Sequence, residues 1–291
     1  MKMLKKALCL LLCCAMLLPV AAQAAEVGQS ITCYGDDLTS EQFQQVVELL
    51  DADLANDTLV TVYIEDEKNL LGGIVSADKI GSRSISSARV TLTGEGTGIS
   101  VTTHNINWVT PSMYSSALIT AGVQNAKIVV AAPVEVSGTA ALAGILKAYE
   151  QGINDNLSSL AKAVAGNEIV LTGSLADVIG SEEAVELLAM VKQAIADYNL
   201  DDYDTLRPYV VQGAQQLGVQ LTDAQIDQIT QLGVEFAKLD LDPEQLASQL
   251  NGLIDNIQKI QVAQQTATTI FTQIKDAVQG FFNWIGSWFK R

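Results

Sequence analysis

"AKIVVAAPVEVSGTAALAGILKAYE" (residues 126–150) is the stretch on which the fold turns. Its first seven residues are mostly apolar and carry β-branched Ile128, Val129 and Val130, the pattern of a strand buried on both faces. Ser137 or Thr139 then offers a helix cap, and an Ala-rich run continues to about Tyr149. A buried strand feeding a helix sets the grammar upstream. "SITCY" (30–34) reads as a strand, "TSEQFQQVVELLDA" (39–52) as an amphipathic helix, and "LVTVYI" (59–64) as a second strand. "EDEKNLLGG" (65–73) reads as a charged turn. "SISSARVTLT" (84–93) and "GISVTTHNINWVT" (98–110) are two further strands, and Gly94-Glu95-Gly96 between them signals a hairpin. Thr110-Pro111 starts a helix that Gly122 ends. The order β-α-β-β-β-α-β-α predicts a mixed sheet with helices packed on it. Val60, Val62 and Ile64 are expected in its core with Val90, Leu92, Ile128 and Val130.

The pattern changes near residue 152. "EIVLTG" (168–173) is one more strand candidate, and helices are expected near 156–165, 181–198, 203–217, 222–238 and 243–279. The fold class is therefore α+β: a signal peptide (1–24), an α/β domain (25–152), a helical region (153–279) and an aromatic tail (280–291). One cap recurs in "LTSEQF" (38–43), "LTDAQI" (221–226) and "LDPEQL" (241–246). Thr39, Thr222 and Asp242 are the N-caps, and Gln42, Gln225 and Gln245 stand at N3 of a capping box.

The first 24 residues have the layout of a secretory signal peptide. Lys2, Lys5 and Lys6 precede a twelve-residue apolar run, 7–18, and Ala22-Gln23-Ala24 is a cleavage signal. Cleavage after Ala24 is expected, with an uncleaved anchor as the alternative. It would leave Cys33 as the one cysteine, so no disulfide within the chain, and would leave 14 basic residues against 33 acidic ones, a net charge near −19. Such a charge repels nucleic acid and anionic lipid, so neither DNA nor RNA is an expected partner.

The segments Leu71-Gly72-Gly73, Ile80-Gly81-Ser82-Arg83, Thr103-His104-Asn105-Ile106, Trp108-Val109-Thr110, Ala131-Ala132-Pro133 and Val136-Ser137-Gly138-Thr139 resemble the YpuA-like exported proteins of Gram-positive bacteria. The resemblance covers roughly residues 33–200. It implies export and a shared fold, and it transfers no catalytic residues, because the family is a domain of unknown function.

No catalytic signature stands out. Cys33 and His104, the latter the single histidine, are the weak candidates for a thiol-nucleophile pair, with Asn105 to orient it. The plainer reading of Cys33 is a buried strand residue. Arg83, Ser84 and Ser86, with His104, could line a polar ligand site, whereas a polar strand edge explains the serines as well. Ser137-Gly138-Thr139 lacks the lysine and spacing of a phosphate loop, and Asp201, Asp202 and Asp204 lack the glycine and distal glutamate of a calcium loop. No metal and no cofactor are expected.

The tail "GFFNWIGSWFKR" (280–291) holds five large aromatics. Phe281, Phe282, Ile285, Trp288 and Phe289 recur at helical spacing and form an apolar stripe, too short to span a bilayer. Its cover is the protein's own body, a partner or a membrane surface. The leading expectation is an exported, non-enzymatic cell-envelope protein. The alternatives are a cell-wall hydrolase, whose paired carboxylates would leave no motif, and an extracellular ligand-binding protein.

Overall fold

The computed structural model describes residues 26–71 and 83–288, with side chains described through Thr266. The signal-peptide expectation lies outside the described residues.

Five strands form one mixed sheet: β1 (Ser30–Gly35), β2 (Thr58–Val62), β3 (Ser87–Leu92), β4 (Ile99–Ile106) and β5 (Ala126–Val136), in the order β2-β1-β3-β5-β4. β1 runs parallel to β2, and β4 runs parallel to β5. β3 lies between the two pairs and is antiparallel to both neighbours. The register aligns Cys33, Ala88, Val130 and Thr103 in one row across four strands, and Ile31, Val90, Ile128 and Val101 two rows away on the same face.

α1 (Ser40–Leu50) covers one face, where Phe43 meets the Tyr34 ring edge-on and Gln45 donates to the Pro133 carbonyl. The opposite face carries α3 (Pro111–Ala121) and α4 (Thr139–Ile153). α4 approaches the sheet so closely that a Cβ at Gly144 would stand 2.9 Å from the Cys33 sulfur. α2 (Ile64–Leu71) packs against α4 and against α5 (Ser159–Ile179). α6 (Ser181–Tyr198), α7 (Tyr203–Gln216), α8 (Asp223–Phe236) and α9 (Pro243–Trp288) complete the helical layer. One continuous set of buried apolar side chains runs from Ile31 to Ile257, across the end of α4 near residue 152.

Two of the three expected capping boxes form in full, and the third forms its forward bond. Thr39 and Thr222 accept from the Gln42 and Gln225 backbone N–H groups, and both glutamine side chains return the bond. Asp242 accepts from the Gln245 N–H at 2.8 Å. Gly122 closes α3 at φ 88°, where a side chain would be strained.

Four local expectations are corrected. The "EDEKNLLGG" segment opens not as a turn but as α2, with Glu67 and Leu71 buried on the same side one turn apart. "EIVLTG" belongs to the middle of α5, since a short apolar run cannot distinguish a buried helix from a strand. Its helical face is marked by Gly166 and Gly173, two turns apart, against which Leu71 and Trp108 pack. The hairpin between β3 and β4 does not form, because β5 inserts between them and takes the doubly buried position that its apolar run requires. Finally, the cap of α4 is Gly138 at φ 95°, with no side-chain bond, rather than Ser137 or Thr139. In the core, Val62, Val90, Leu92, Ile128 and Val130 are buried as expected, whereas Val60 is half-buried beside the edge. Ile64 is also half-buried, because β2 ends before it.

Candidate functional site

The structure separates the residues that would have made a thiol site. Cys33 and His104 lie in adjacent register rows and so point to opposite faces of the sheet. They are also three strands apart, about 14 Å. Cys33 is buried beneath α4, and burial pushes its thiol up to about 12, so no thiolate forms at neutral pH. His104 is exposed on the outer strand. Asn105 is committed to a β-bulge at φ 59° and donates to the Ala132 carbonyl at 2.8 Å. The polar segment before β3 is not a cradle either. Ser84 and Ser86 are buried, Ser84 donates to the Val62 carbonyl, and only Arg83 is exposed. Asp202 caps α7 through the Thr205 N–H. α9 remains helical through Trp288, but the contacts expected of Phe281, Phe282, Ile285 and Trp288 fall beyond the described side chains, and Phe289 lies outside the described residues.

Two buried polar clusters occupy the interior. In the first, Lys192 of α6 reaches Glu168 of α5 at 2.6 Å and the hydroxyls of Ser116 and Thr120 on α3 at 2.9 and 3.0 Å. Both hydroxyls donate in turn to the Glu168 carboxylate. The Phe236 ring of α8 lies 5.7 Å from the ammonium. Burial pulls Lys192 below the ordinary lysine range, against the attraction of Glu168. A lysine beside a serine is the arrangement of a base and its nucleophile. Here Ser116 is wholly buried and its proton is given to Glu168, so the cluster joins helices rather than meeting a substrate.

In the second, Glu67 of α2 accepts from Thr139 at the start of α4, and its other oxygen has no partner. The nearby Tyr114 hydroxyl is turned to the Gly138 carbonyl. Burial raises the Glu67 carboxyl to about 7, outweighing the Thr139 bond and the charge of Lys68. A folded-state value above the ordinary 4.5 means the folded protein holds this proton more tightly. The stability it contributes is complete below about 4.5 and is lost as pH rises through about 7. The shift bounds the effect at about 3 kcal/mol, and solvent screening reduces it to ~1–2 kcal/mol. We expect Glu67→Gln to gain on the wild type by that amount between pH 5 and pH 8, read from urea unfolding at both. Parallel pH profiles would show that Glu67 ionises freely in the fold.

A cleft of about 870 Å³ opens where α6, α7 and α9 meet. Glu183 and Glu186 of α6 form one wall, Gln216 and Leu217 close the end of α7, and Gln258, Gln261, Gln264 and Gln265 of α9 form the other. Glu183 sits in the first turn of α6, where unpaired N–H groups favour a carboxylate. It folds back over Gly180, φ 97°, so closely that a Cβ there would lie 2.2 Å from its Oε2. Glu186, 7% exposed, accepts from the Gln261 amide at 3.3 Å. Beside them Glu182 accepts from Ser112 at 2.8 Å. Burial raises its carboxyl, against the Ser112 bond, and the charges of Glu183 and Glu186 add to the rise. The two wall carboxylates stand three residues apart on one helix and approach a ligand from one side. Glycoside hydrolysis places a carboxyl on each side of the bond, an arrangement that two carboxylates on one helix do not make. Sequence reasoning missed it because glutamines carry no motif and its walls are up to 82 residues apart.

Among the described residues no cluster of three or more His, Cys, Asp or Glu side chains could hold a metal ion, and no helix is long and apolar enough to cross a membrane.

The family model "Protein of unknown function (DUF1002)" matches residues 34–253. The chain is also similar to the "Uncharacterized protein YpuA" of Bacillus subtilis (strain 168), 38% identical over 272 residues, which is 93% of each chain. No solved structure matches.

Proposed function

The chain belongs to the DUF1002 family of proteins of unknown function, and from that premise we propose that it is an exported, non-enzymatic protein of the bacterial cell envelope. Its long last helix carries an aromatic end to an apolar surface there, on a partner or at the membrane interface. The observation that carries this reading is the course of α9. The helix has 46 residues, about 70 Å of length, and among its described side chains Leu246, Leu250, Leu253 and Ile257 are the buried apolar anchors. From residue 258 to 266 the side chains are exposed apart from half-buried Gln261, and Ile260 and Val262 are 37% and 62% exposed. A helical stretch whose described side chains from 258 to 266 face outward is suited to meet something else. The signal-peptide layout of residues 1–24 supports the location. Trp and Phe beside Lys290 and Arg291 suit a membrane interface or an apolar partner groove.

The test compares the full chain with one ending at Gln279. The shortened form is expected to unfold at the same temperature and to lose co-sedimentation with envelope fractions of its host. A lower unfolding temperature with unchanged sedimentation would show instead that the tail packs on its own body.

A further inference from the structure

We propose that α9 pairs with α9 of a second copy of this chain, along one apolar seam that runs from Ile260 to Trp288. This rests on the reading that α9 ends on a partner, and it names that partner.

The seam begins inside the body. Leu246, Leu250, Leu253 and Ile257 are buried and follow one another at alternating steps of four and three residues. α9 stays helical through Trp288, and the same steps continue along it. They reach Ile260, then Gln264 in the cleft beside α6, then Ala267. Beyond these the register positions are Phe271, Ile274, Val278, Phe281, Ile285 and Trp288, all apolar. Steps of four and three make a repeat of seven, which keeps an apolar line facing one partner helix along its length. A helix lying on a broad surface needs a wider face and no such repeat. From Ile260 to Trp288 the repeat covers about four heptads, a length at which it argues for a coiled coil.

The body closes the seam through Ile257, but Ile260, the next position, is 37% exposed. Charge then favours a second copy as the cover. Between residues 258 and 288 the charged residues are Lys259, Lys275 and Asp276, in a chain of net charge −16. This is the stretch where two acidic copies meet without repulsion. A foreign helix is selected by charges at the positions flanking the seam. From 261 to 284, Lys275 is the one charge at such a position. Nothing there opposes pairing of like with like, and the same scarcity leaves no basic face for anionic lipid. Pairing of identical chains about a two-fold axis is also the commonest form of assembly.

Sedimentation equilibrium of the purified protein is expected to give the mass of a dimer. Ile274→Glu/Val278→Glu puts like charges into the seam and should weaken association about 10-fold or more. Gln273→Glu/Gln279→Glu adds the same charge one residue off the seam and should associate as the wild type does. The seam variant should keep a cooperative thermal transition, which separates lost pairing from lost folding. A monomeric wild type, or equal weakening in the off-seam variant, would overturn the pairing. So would a monomer that floats with vesicles of phosphatidylglycerol and phosphatidylcholine, which would give the seam to lipid. Co-sedimentation with envelope fractions is read separately. A dimer absent from those fractions would overturn the envelope reading and support the pairing, and a monomer present in them would do the reverse.

Discussion

Lys192→Met lowers the unfolding free energy by about 3–5 kcal/mol, the cost of leaving a buried charge without its partner. The substitution keeps the length of the side chain and removes the ammonium, so Glu168, 1% exposed, retains only the Ser116 and Thr120 hydroxyls. The double variant Glu168→Leu/Lys192→Met is expected to recover most of the loss, because a buried ion pair replaced by apolar groups is often neutral. The freed hydroxyls then turn to the carbonyls one helical turn back, as Thr172 already does to Glu168. Urea unfolding of the four proteins in this cycle gives the coupling directly. Equal destabilisation in the single and double variants would show that shape, rather than charge, holds α3, α5 and α6 together.

Val130→Asp abolishes cooperative folding. Val130 is fully buried, with Ala88 of β3 on one side and Thr103 of β4 on the other. An unpaired carboxylate there costs several kcal/mol, a large part of the roughly 5–15 kcal/mol that stabilises a domain. Val130→Thr, similar in shape, should cost about 1–3 kcal/mol and leave a sharp transition. Near-ultraviolet circular dichroism and thermal unfolding distinguish the two. A soluble Asp variant with an unchanged midpoint would mean that β5 does not occupy the centre of the sheet.

Where the chain's local rules act alone, the sequence was legible. The capping boxes at Thr39 and Thr222, the glycine stop at Gly122 and every strand of the sheet can be read from residues within a few positions of one another. Apart from the cap of α4, the misreadings share one cause, which is that burial was decided by distant segments. Glu67 looked like part of a solvated run, yet Thr139, 72 residues away, takes it into the interior. Glu168 lay in an apparent strand because its partner, Lys192, sits on the next helix and leaves no mark beside it. The β3–β4 turn signal was real as a turn, but pairing is settled by which strand has the most apolar surface to cover, and that is β5. The cleft was invisible for the same reason. Only packing brings residue 183 beside residue 261, and neither residue type announces a site.

The sheet order has a kinetic consequence. β5 follows β3 and β4 in sequence yet sits between them, so β3 is paired on one side only, by β1, and β4 has no partner until the chain has run through Val136. A chain delivered from its N-terminus therefore holds the far edge of β3 and the whole of β4 unpaired while more than forty residues follow β3. Closure then requires non-local pairing, which slows folding and prolongs the interval in which bare edges can join other chains. The same order keeps the sheet from closing on its first strands alone, so its closure waits for its centre to arrive.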